Sequence, residues 1–372
     1  MINIGITGQN GFIGTHLFNT LGLFPEKYRL IEFKRKYFED KVAIDSFVSQ
    51  CDVIVHLAAL NRHETHSVIY DTNIRLVSCL VDSLNRTQST PHIIMSSSSQ
   101  ENNDNLYGKS KKVGRSLLSD WAKEKNAIFT GMIIPNVFGP FGKPNYNSVV
   151  ATFCHKLSNN EIPKILVDGE LKLIYVSELV DCIIRSINKK TNKVEYRVKH
   201  TSEIKVSGIL KLLQNFETLY MDCGEIPILN NVFKLNLFNT FRCYMDIKNI
   251  FPRKFTKNED KRGSFVELIR LGIGGQVSFS TTVPGITRGN HFHTRKIERF
   301  AVIKGKALIQ LRRIGTNEVL DYYLDGDEPA YVDMPVWYTH NIKNIGDNIL
   351  YTNFWINETY NSEDADTFFE EV

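Results

Sequence analysis

The stretch INIGITGQNGFIGTHLFNTLGLF, residues 2–24, decides the fold of the first part of the chain. A β-branched run leads directly into Gly8, Gly11 and Gly14, and a helix-like segment follows them. Glycine at these places lets the chain turn tightly and lets backbone N–H groups and a helix N-terminus approach a pyrophosphate. This strand-turn-helix context predicts a dinucleotide site, and the alternative is a Gly-rich turn without a ligand.

Outward from this stretch, the residues up to about Ile187 alternate short β-branched runs with polar or amphipathic segments, which is typical of βαβ units around a parallel sheet. Beyond about Phe255 the pattern changes to closely spaced strands punctuated by Gly, Asp and Asn, as in an antiparallel sandwich or barrel. We therefore predict an α/β fold in which a Rossmann-like doubly wound parallel sheet, residues 1–247, precedes an all-β domain, residues 253–372. We expect residues 188–245 to complete the first domain near its substrate cleft.

The composition agrees with two folded domains, because 372 residues are more than one core usually holds. The net charge of +4 is slight and no long basic run is present, so we expect no nucleic-acid partner. The six cysteines lack C-x-x-C spacing, which favours reduced thiols. Because the sequence shows no leader pattern and no segment of about 18 consecutive apolar residues, we expect a cytoplasmic protein without membrane insertion.

Two basic residues follow the second predicted strand, in LIEFKRK. Lys34 and Arg35 stand where the adenosine ribose of a dinucleotide would lie, and two cations there would pair with a 2′-phosphate. This predicts NADPH as the cofactor. In the alternative interpretation, Glu32 accepts the ribose hydroxyls of NAD and the basic pair is a solvated loop.

A serine cluster at the end of a predicted strand precedes Tyr107 and Lys111, which lie four residues apart and therefore on one face of a helix. A lysine ammonium beside a phenol lowers the pKa of the phenol, so Tyr107 could protonate an alkoxide as hydride reaches the carbonyl carbon. Ser98 is the best placed serine to orient the carbonyl oxygen, with Ser97 and Ser99 as alternatives.

The glycine loop, HLAA at 56–59, the serine strand and YGKSK occur in the order found in the extended short-chain dehydrogenase/reductase family, which this part of the chain resembles. The resemblance implies a reductase whose cofactor also contacts Lys111 and the four neighbouring positions Phe12, Ile13, Leu57 and Ala58. It further implies that residues 133–140 close over the nicotinamide. Residues 143–154 are rich in hydrogen-bonding side chains and could hold a sugar or its diphosphate, or form an ordinary loop and helix start.

Near the C-terminus, Gly285, His291, His293, Glu298 and Gly305 stand in the order G-x5-H-x-H-x4-E-x6-G, and His340 follows with Asn344 four residues later. This order resembles the two cupin motifs and implies a jelly-roll domain. The H-x-H spacing points two imidazoles to one side of a strand, and strand pairing can bring the carboxylate and the third imidazole beside them. We predict one divalent metal on His291, His293, Glu298 and His340, with zinc as first choice and iron, manganese or nickel left open.

The second cupin motif departs from the pattern, since Trp337 occupies the usual glycine position after Pro335 and the spacing from Gly326 is longer than usual. The segment DKRGSFVE, residues 260–267, also resembles a strand of sugar-nucleotide 3,5-epimerases built on the same barrel. Three residues are candidates for an epimerase base: Lys296, Tyr338 and Glu267.

A reductase followed by a cupin resembles a family of bifunctional capsule-biosynthesis enzymes, and this resemblance covers essentially the whole chain. It implies that the cupin epimerises C3 of a UDP-2-acetamido-2,6-dideoxy-4-keto-hexose and that the reductase then reduces the C4 ketone with NADPH. The partner is then a UDP-activated amino-deoxy sugar, and the family resemblance adds the expectation of a homodimer.

Two rival interpretations stay open at this point. In the first, the reductase domain acts alone as a sugar-nucleotide dehydratase or epimerase, and the cupin is a non-catalytic dimerisation module. Gln100 after the serines argues against it, because dehydratases of this family place acidic residues there. In the second, the chain is a non-catalytic redox or sugar sensor, and the intact Tyr107 and Lys111 argue against that.

Overall fold

The computed structural model describes residues 1–260, 263–272 and 274–372, and it divides the chain into two compact units. The first unit comprises Met1–Thr152 and Ile165–Val206, and the second comprises Phe153–Lys164 and Ser207–Val372. Residues from Ser207 onwards make their contacts in the second unit, which differs from the expectation that residues up to 245 complete the first domain. The functional boundary between residues 247 and 253 stays a prediction.

The first unit is built from nine strands and the helices between them. The strands are β1 Ile2–Thr7, β2 Tyr28–Ile31, β3 Val53–His56, β4 His92–Ser98, β5 Phe129–Ile134, β6 Asn136–Phe138, β7 Glu170–Tyr175, β8 Lys193–Arg197 and β9 Ser202–Lys205. The helices are α1 Phe12–Gly22, α2 Lys41–Gln50, α3 His66–Thr87, α4 Leu106–Glu124, α5 Val149–Ser158 and α6 Val176–Asn188, with short 3-10 turns at Arg35–Glu39 and Ser99–Asn102. Helix α5 begins in the first unit, and its residues from Phe153 onwards belong to the second.

The main sheet of this unit has six strands in the order β2-β1-β3-β4-β5-β8, all pairing in parallel. Strands β3 and β5 are buried along their whole length, as expected for strands covered by helices on both faces. One hydrophobic core contains Phe47 and Trp121, and the other contains Leu17 and Leu179. The strand order reverses at β1, and a ligand of such a sheet binds at the carboxyl ends of the strands beside that point. The predicted doubly wound fold is confirmed.

The second unit carries helices before its strands. The helices are α7 Val206–Phe216, a π-helical turn Glu217–Asp222, α8 Val232–Arg242 and α9 Ile247–Ile250. The strands are β10 Arg253–Lys254, β11 Lys257–Asp260, β12 Gly263–Val266, β13 Gln276–Thr282, β14 Thr287–Phe292, β15 Glu298–Lys304, β16 Lys306–Arg313, β17 Val319–Asp325, β18 Ala330–Met334, β19 Tyr338–Asn344, β20 Leu350–Ile356 and β21 Phe368–Phe369.

Ten of these strands form two five-stranded antiparallel sheets, β10-β18-β15-β20-β13 and β17-β16-β19-β14-β21, and β11 pairs with β12 in a separate antiparallel ribbon. Side chains alternate between the core and the surface, so that Ala307, Ile309 and Leu311 of β16 are fully buried while their neighbours are not. The predicted all-β domain after the parallel sheet is confirmed. Within the described ranges, no helix combines the length and the apolar composition that crossing a bilayer requires.

A buried polar network joins the helices of the second unit to the first of these sheets. Arg299 of β15 forms two hydrogen bonds of 2.8 and 3.0 Å with the carboxylate of Asp333 on β18. Tyr220 of the π-helical turn donates to the same carboxylate, and Arg242 of α8 donates to the Tyr220 hydroxyl at 3.2 Å. Arg299 alternates along β15 with Glu298, so the network and the predicted metal ligand lie on opposite faces of the sheet.

Candidate active site and metal centre

The glycine turn between β1 and α1 packs against the segment that follows β3. Gly8 has a φ of +80°, and an ideal Cβ on it would lie 2.8 Å from the backbone nitrogen of Ala58. A Cβ on Gly14 would lie 2.2 Å from the carbonyl oxygen of Gly8, which accepts from the Gly11 N–H at 2.9 Å. Side chains are therefore excluded from these positions. Leu57 donates its N–H to Thr7, so the structure brings the predicted cofactor residues of both segments together.

Phe12 and Ile13 are the first residues of α1, directly after the glycine turn. Their helix is tied to a second segment through His16, whose Nε2 lies 3.0 Å from the carbonyl oxygen of Pro140. Pro140 belongs to residues 133–140, which we predicted to close over the nicotinamide. The structure thus holds that segment against the helix that starts at the glycine turn.

The basic residues after β2, Lys34 and Arg35, are exposed, and so is Glu32, the alternative partner of the adenosine ribose. Phe33 is buried in the core, which turns Glu32 and Lys34 to the opposite side of the chain. These two side chains form an ion pair of 3.2 Å, and Arg35 starts the 3-10 turn beside them. Both candidates for the adenosine ribose therefore stand at the same place, and the choice between NADP and NAD stays a prediction.

Tyr107 and Lys111 lie one turn apart at the start of α4, and several hydrogen bonds hold this turn. Asn105 caps the helix by accepting from the Gly108 N–H at 2.7 Å. The Ser110 hydroxyl donates to the carbonyl oxygen of Tyr107 at 2.7 Å. Lys111 is buried, and its ammonium donates to the hydroxyl of Ser96 on β4 at 3.4 Å. The helix and the serine strand are thereby joined at the predicted site.

The acid–base behaviour of this pair differs from the expectation. Burial, with a contribution from Tyr146, raises the pKa of the Tyr107 phenol to about 12. Burial also lowers the pKa of the Lys111 ammonium to about 8. The prediction that the ammonium lowers the pKa of the phenol was wrong for this structure, because burial disfavours the charged phenolate and the Lys111 ammonium bonds to Ser96. Tyr107 therefore carries its proton at neutral pH.

The neighbouring serines at the end of β4 have distinct partners. Ser97 donates to the carboxylate of Glu101 and is buried. Ser98 ends the strand and accepts from the Gln100 N–H at 3.2 Å, and Ser99 begins the following 3-10 turn. Ser97 donates to a buried carboxylate, whereas Ser98 is half-buried and accepts a hydrogen bond. This difference favours Ser98 as the serine that orients the carbonyl oxygen.

Glu101 is a buried residue beside the predicted site that the sequence did not indicate. Its carboxylate forms two hydrogen bonds with the guanidinium of Arg115 on α4, at 2.8 and 2.7 Å, and both side chains are buried. Burial alone would raise the pKa of the Glu101 carboxyl, but Arg115 and Ser97 lower it below its ordinary value. Arg115 lies one helical turn after Lys111, and this spacing is the sequence feature that could have indicated a further charged residue at the site. Glu101 is thus an ionised anchor that ties the serine turn to the helix.

The segment 143–154 divides into a loop and the start of α5. Arg62, from the region after β3, donates to the carbonyl oxygens of Asn145 and Tyr146 at 3.2 and 2.8 Å. Lys143 lies 5.2 Å from the centre of the Tyr146 ring. The Tyr146 phenol is close enough to raise the pKa of Tyr107, so the loop borders the predicted reductase site, whereas from Val149 onwards the segment is a helix.

The predicted metal ligands converge in the barrel, where one ligand atom from each of His291, His293, Glu298 and His340 lies within 4.8 Å of the others. His291 and His340 are directly opposite each other on β14 and β19. Oε2 of Glu298, from the facing sheet, lies 3.0 Å from Nε2 of both His293 and His340 and 3.9 Å from Nε2 of His291. Three nitrogens and one carboxylate oxygen at these separations fit a divalent cation.

Three of these ligand atoms are buried without a hydrogen-bond partner among the described residues: His293 Nε2, Glu298 Oε2 and His340 Nε2. The other ring nitrogens are occupied, since Nδ1 of His293 bonds to the carbonyl oxygen of Asp366 and Nδ1 of His340 lies 3.2 Å from that of Tyr338. This arrangement turns both Nε2 lone pairs inward, as metal-binding imidazoles require. Burial alone would raise the pKa of Glu298, but the three imidazoles hold it well below its usual range.

Trp337, at the position where the predicted motif usually has glycine, has a left-handed backbone conformation. Its φ is +63°, its N–H donates to the carbonyl oxygen of His293 at 2.8 Å, and its ring stacks on Phe292 with centroids 5.5 Å apart. A non-glycine residue is thus held at a positive φ by a backbone hydrogen bond and a ring contact.

The suggested epimerase bases have other partners. The Lys296 ammonium donates to the carbonyl oxygen of Ala365 at 2.6 Å, and Glu267 is exposed and pairs with Arg270 at 2.8 Å. Burial raises the pKa of Tyr338 to about 12. Within the segment 260–267, Lys261 and Arg262 lie outside the described residues. Lys296 and Glu267 are not brought to the imidazole cluster by any described hydrogen bond or ion pair.

Comparison with known families gives two matches along the chain. Residues 4–199 match the NAD dependent epimerase/dehydratase family, and residues 258–368 match the polysaccharide biosynthesis C-terminal domain. The first match covers more than half of the chain and contains the glycine turn, Tyr107 and Lys111. The second contains all four clustered ligands.

Individual relatives agree with these matches. The chain is 29% identical to a UDP-2-acetamido-2,6-beta-L-arabino-hexul-4-ose reductase from Pseudomonas aeruginosa, over 98% of this chain and 97% of that protein. The structure of the capsular polysaccharide assembling protein CapF from Staphylococcus aureus is 36% identical, with a TM-score of 0.64 and complete coverage of both chains. An RMD structure from Pseudomonas aeruginosa, 17% identical with a TM-score of 0.53, covers 59% of this chain and 83% of its own and shares the fold. The chain therefore belongs to the NAD dependent epimerase/dehydratase family and, over its whole length, is a CapF-type member of it.

Proposed function

We propose that this chain is a bifunctional sugar-nucleotide enzyme. Its barrel epimerises C3 of a UDP-2-acetamido-2,6-dideoxy-4-keto-hexose, and its parallel-sheet unit reduces the C4 ketone with NADPH. The product is UDP-2-acetamido-2,6-dideoxy-L-talose, on the route to UDP-N-acetyl-L-fucosamine for capsule or O-antigen. The observation that carries the proposal is the full-length similarity to a reductase of such a keto sugar, in a chain that holds both the Tyr107 site and the imidazole cluster.

In the reduction, Tyr107 is the proton donor. When bound, NADPH supplies hydride to the C4 carbonyl carbon of the sugar. Because its phenol is protonated at neutral pH, Tyr107 can give a proton to the C4 oxygen as negative charge develops there. The buried Lys111 ammonium, which donates to Ser96, would supply positive charge on the same helix face and bond the nicotinamide ribose, and Ser98 would orient the carbonyl.

The cofactor preference rests on the basic pair after β2. Lys34 and Arg35 are both exposed at the end of the second strand, where a 2′-phosphate would lie. Lys34 already pairs with Glu32, so a phosphate would replace one carboxylate partner with a doubly charged one. We therefore favour NADPH over NADH.

In the epimerisation, the ketone at C4 acidifies the proton on C3, and its removal and return from the opposite face inverts that carbon. His291, His293, Glu298 and His340 would hold the divalent cation, with zinc as our first choice. When bound, such a cation supplies Lewis-acid stabilisation of negative charge on a ketone oxygen. The two buried imidazoles, His293 and His340, are oriented for this by the carbonyl oxygens of Asp366 and Tyr338.

The alternative of a dehydratase with a non-catalytic barrel receives little support from the serine turn. Glu101 is the acidic residue nearest to Ser98 in that turn, and its carboxylate is fully engaged by Arg115 and Ser97. A carboxylate held in this way is a poor acid or base for eliminating water, because any proton transfer would break a buried ion pair.

Homodimerisation is a further part of the proposal. Strand β13 lies at the edge of its sheet, and its exposed face carries Val277, 56% exposed, and Phe279, 71% exposed. An apolar edge strand of this kind is a site for strand pairing with a second copy.

NMR of the product formed from the 4-keto UDP-sugar tests the function directly. With NADPH, we expect reduction at C4 and inversion at C3. Without NADPH in D₂O, we expect deuterium at C3, because epimerisation alone exchanges that proton. His340→Ala should reduce this exchange at least tenfold if a metal participates, while Tyr107→Phe should leave it unchanged. Wild-type protein that reduces C4 without exchanging C3 would support a non-catalytic barrel instead.

A further inference from the structure

The loop between two of the predicted metal ligands belongs to none of the described strands. Residues 294–297 connect His293 to Glu298, and their backbone N–H groups all donate to side chains far along the sequence. Asp366 accepts from Thr294, Arg295 and Lys296 at 3.0 Å each, and Asn357 accepts from Ile297 at 2.8 Å. Two side chains therefore hold the N–H groups of this loop. Its carbonyl oxygens are also bound, since that of Arg295 accepts from the Asn239 side chain at 2.9 Å and that of Ile297 accepts from the Asn357 N–H at 3.2 Å.

Asp366 makes a further contact that reaches a ligand itself. Its own carbonyl oxygen accepts from Nδ1 of His293, while its carboxylate also accepts from the Thr294 hydroxyl at 2.6 Å. Asp366 is buried, and its φ of +41° is a conformation in which Asp and Asn are enriched. One residue thus fixes both the ring of His293 and the backbone that leads from it.

The segment around Asp366 is bound to the ligand strands at two more places. Strand β21 pairs with β14, placing Phe369 opposite His291. The N–H of Glu370 donates to the carbonyl oxygen of Asn290 at 3.0 Å, and its carbonyl oxygen accepts from Thr339, which precedes His340. Residues 366–370 therefore contact the chain beside three of the four ligands.

We infer that Asp366 is the positioning residue of the metal centre, holding His293 and the loop to Glu298 in the geometry that binds the cation. The inference rests on the metal site of the proposed function. Its physical basis is that ligands fixed before binding lose less conformational entropy when the metal binds, so loosening them weakens affinity. No proton transfer is assigned to Asp366.

The test compares zinc affinity by competition with a chromophoric chelator. Asp366→Ala removes every carboxylate acceptor and should weaken zinc binding about 10- to 100-fold. Asp366→Asn keeps one acceptor oxygen and the same backbone preference, so it should fall between Asp366→Ala and wild type. Asp364→Asn is the matched control, because Asp364 bonds to the Arg295 side chain and not to the loop backbone, and it should stay within about twofold of wild type.

Cobalt-substituted protein supplies a second readout. Its d–d spectrum should change in the Asp366 variants and remain as wild type in Asp364→Asn, since it reports ligand geometry rather than overall stability. If Asp366→Ala does not fold, Asp366→Asn decides the question with both measurements. Zinc affinity within twofold of wild type with an unchanged cobalt spectrum overturns the inference.

Failure of the inference and failure of the proposed function give different results. If His340→Ala abolishes zinc binding and Asp366→Ala does not affect it, the metal centre stands and the positioning role is wrong. If the Asp366 variants lose affinity but wild-type protein exchanges no deuterium at C3, the positioning role stands and the epimerase proposal is wrong.

Discussion

At the scale of single residues, the main finding is that burial acts on Tyr107 and Lys111 in opposite directions. It raises the pKa of the phenol and lowers that of the ammonium, because each group is driven towards its neutral form. The sequence was sufficient to place these residues on one helix face. It could not show the buried bond from Lys111 to Ser96, because that bond joins a helix to a strand fifteen residues earlier.

Replacing Tyr107 with phenylalanine should lower kcat for NADPH oxidation by about 10²- to 10⁴-fold, the usual contribution of a positioned proton donor. NADPH affinity, measured by fluorescence titration, should change little. Tyr28→Phe is the matched control, since it removes a phenol that bonds to Asn188 in the same unit, and its turnover should stay near wild type. Unchanged turnover in Tyr107→Phe would remove this residue from its proposed role.

The lowered pKa of Lys111 predicts how the free energy of unfolding changes with pH. The unfolded lysine keeps its proton to about pH 10.5, whereas the folded one loses it near pH 8. Between these values the unfolded state binds more protons, so the contribution of Lys111 to stability rises with pH. Lys111→Met should therefore be more stable than wild type at pH 7, and this advantage should shrink towards pH 10.

Urea denaturation of the cofactor-free proteins at both pH values measures this difference. Lys112→Met is the control, because Lys112 is exposed and its removal should change the free energy of unfolding by less than about 0.5 kcal/mol at either pH. A Lys111→Met advantage that is the same at pH 7 and pH 10 would contradict the shifted pKa.

At the scale of secondary-structure elements, the site is built where α4 meets the serine turn at the end of β4. The turn is tied to the helix by Glu101 and Arg115, and it approaches the helix closely at Gly108. The order of strands and helices could be predicted because each has a local hydrophobic period. The attachment of β21 and Asp366 could not, since their partners lie more than seventy residues away and carry no motif.

Gly108 tests this contact between elements. An ideal Cβ there would lie 2.0 Å from the carbonyl oxygen of Gln100, so Gly108→Ala must push the serine turn away from the helix. We expect a loss of about 1–3 kcal/mol in the free energy of unfolding and a fall in kcat. Gly22→Ala is the matched control, because nothing lies within 4 Å of an ideal Cβ in that helical position, and it should be neutral or slightly stabilising.

At the scale of the whole molecule, the two candidate sites lie in different compact units. The predicted cofactor residues all lie in Met1–Thr152, and the four clustered ligands lie in Ser207–Val372. The sequence predicted both fold classes but not the helices from 207 to 250 as part of the second unit. Their attachment is a network of Arg299, Asp333 and Tyr220 that forms between distant segments.

Breaking that network should destabilise the second unit. Asp333→Ala leaves the Arg299 guanidinium buried without its carboxylate, which costs about 3–5 kcal/mol in the free energy of unfolding. Asp325→Ala is the control, because Asp325 pairs with Lys306 at 3.9 Å near the surface and should cost about 1 kcal/mol or less. Urea denaturation followed by tryptophan fluorescence measures both, and equal midpoints for the two variants would show that the network contributes little.

The left-handed backbone of Trp337 also affects which residues related sequences can carry at positions 337 and 292. A non-glycine residue at this φ costs about 1–2 kcal/mol, and here the stacking of the indole on Phe292 offsets it. Mutation to glycine at position 337 removes the cost and this stacking together, and Phe292 then keeps part of its aromatic packing, the stack on Phe368 with centroids 5.4 Å apart. The two positions should therefore change in concert during evolution, with an aromatic pair in some lineages and glycine beside a smaller side chain in others.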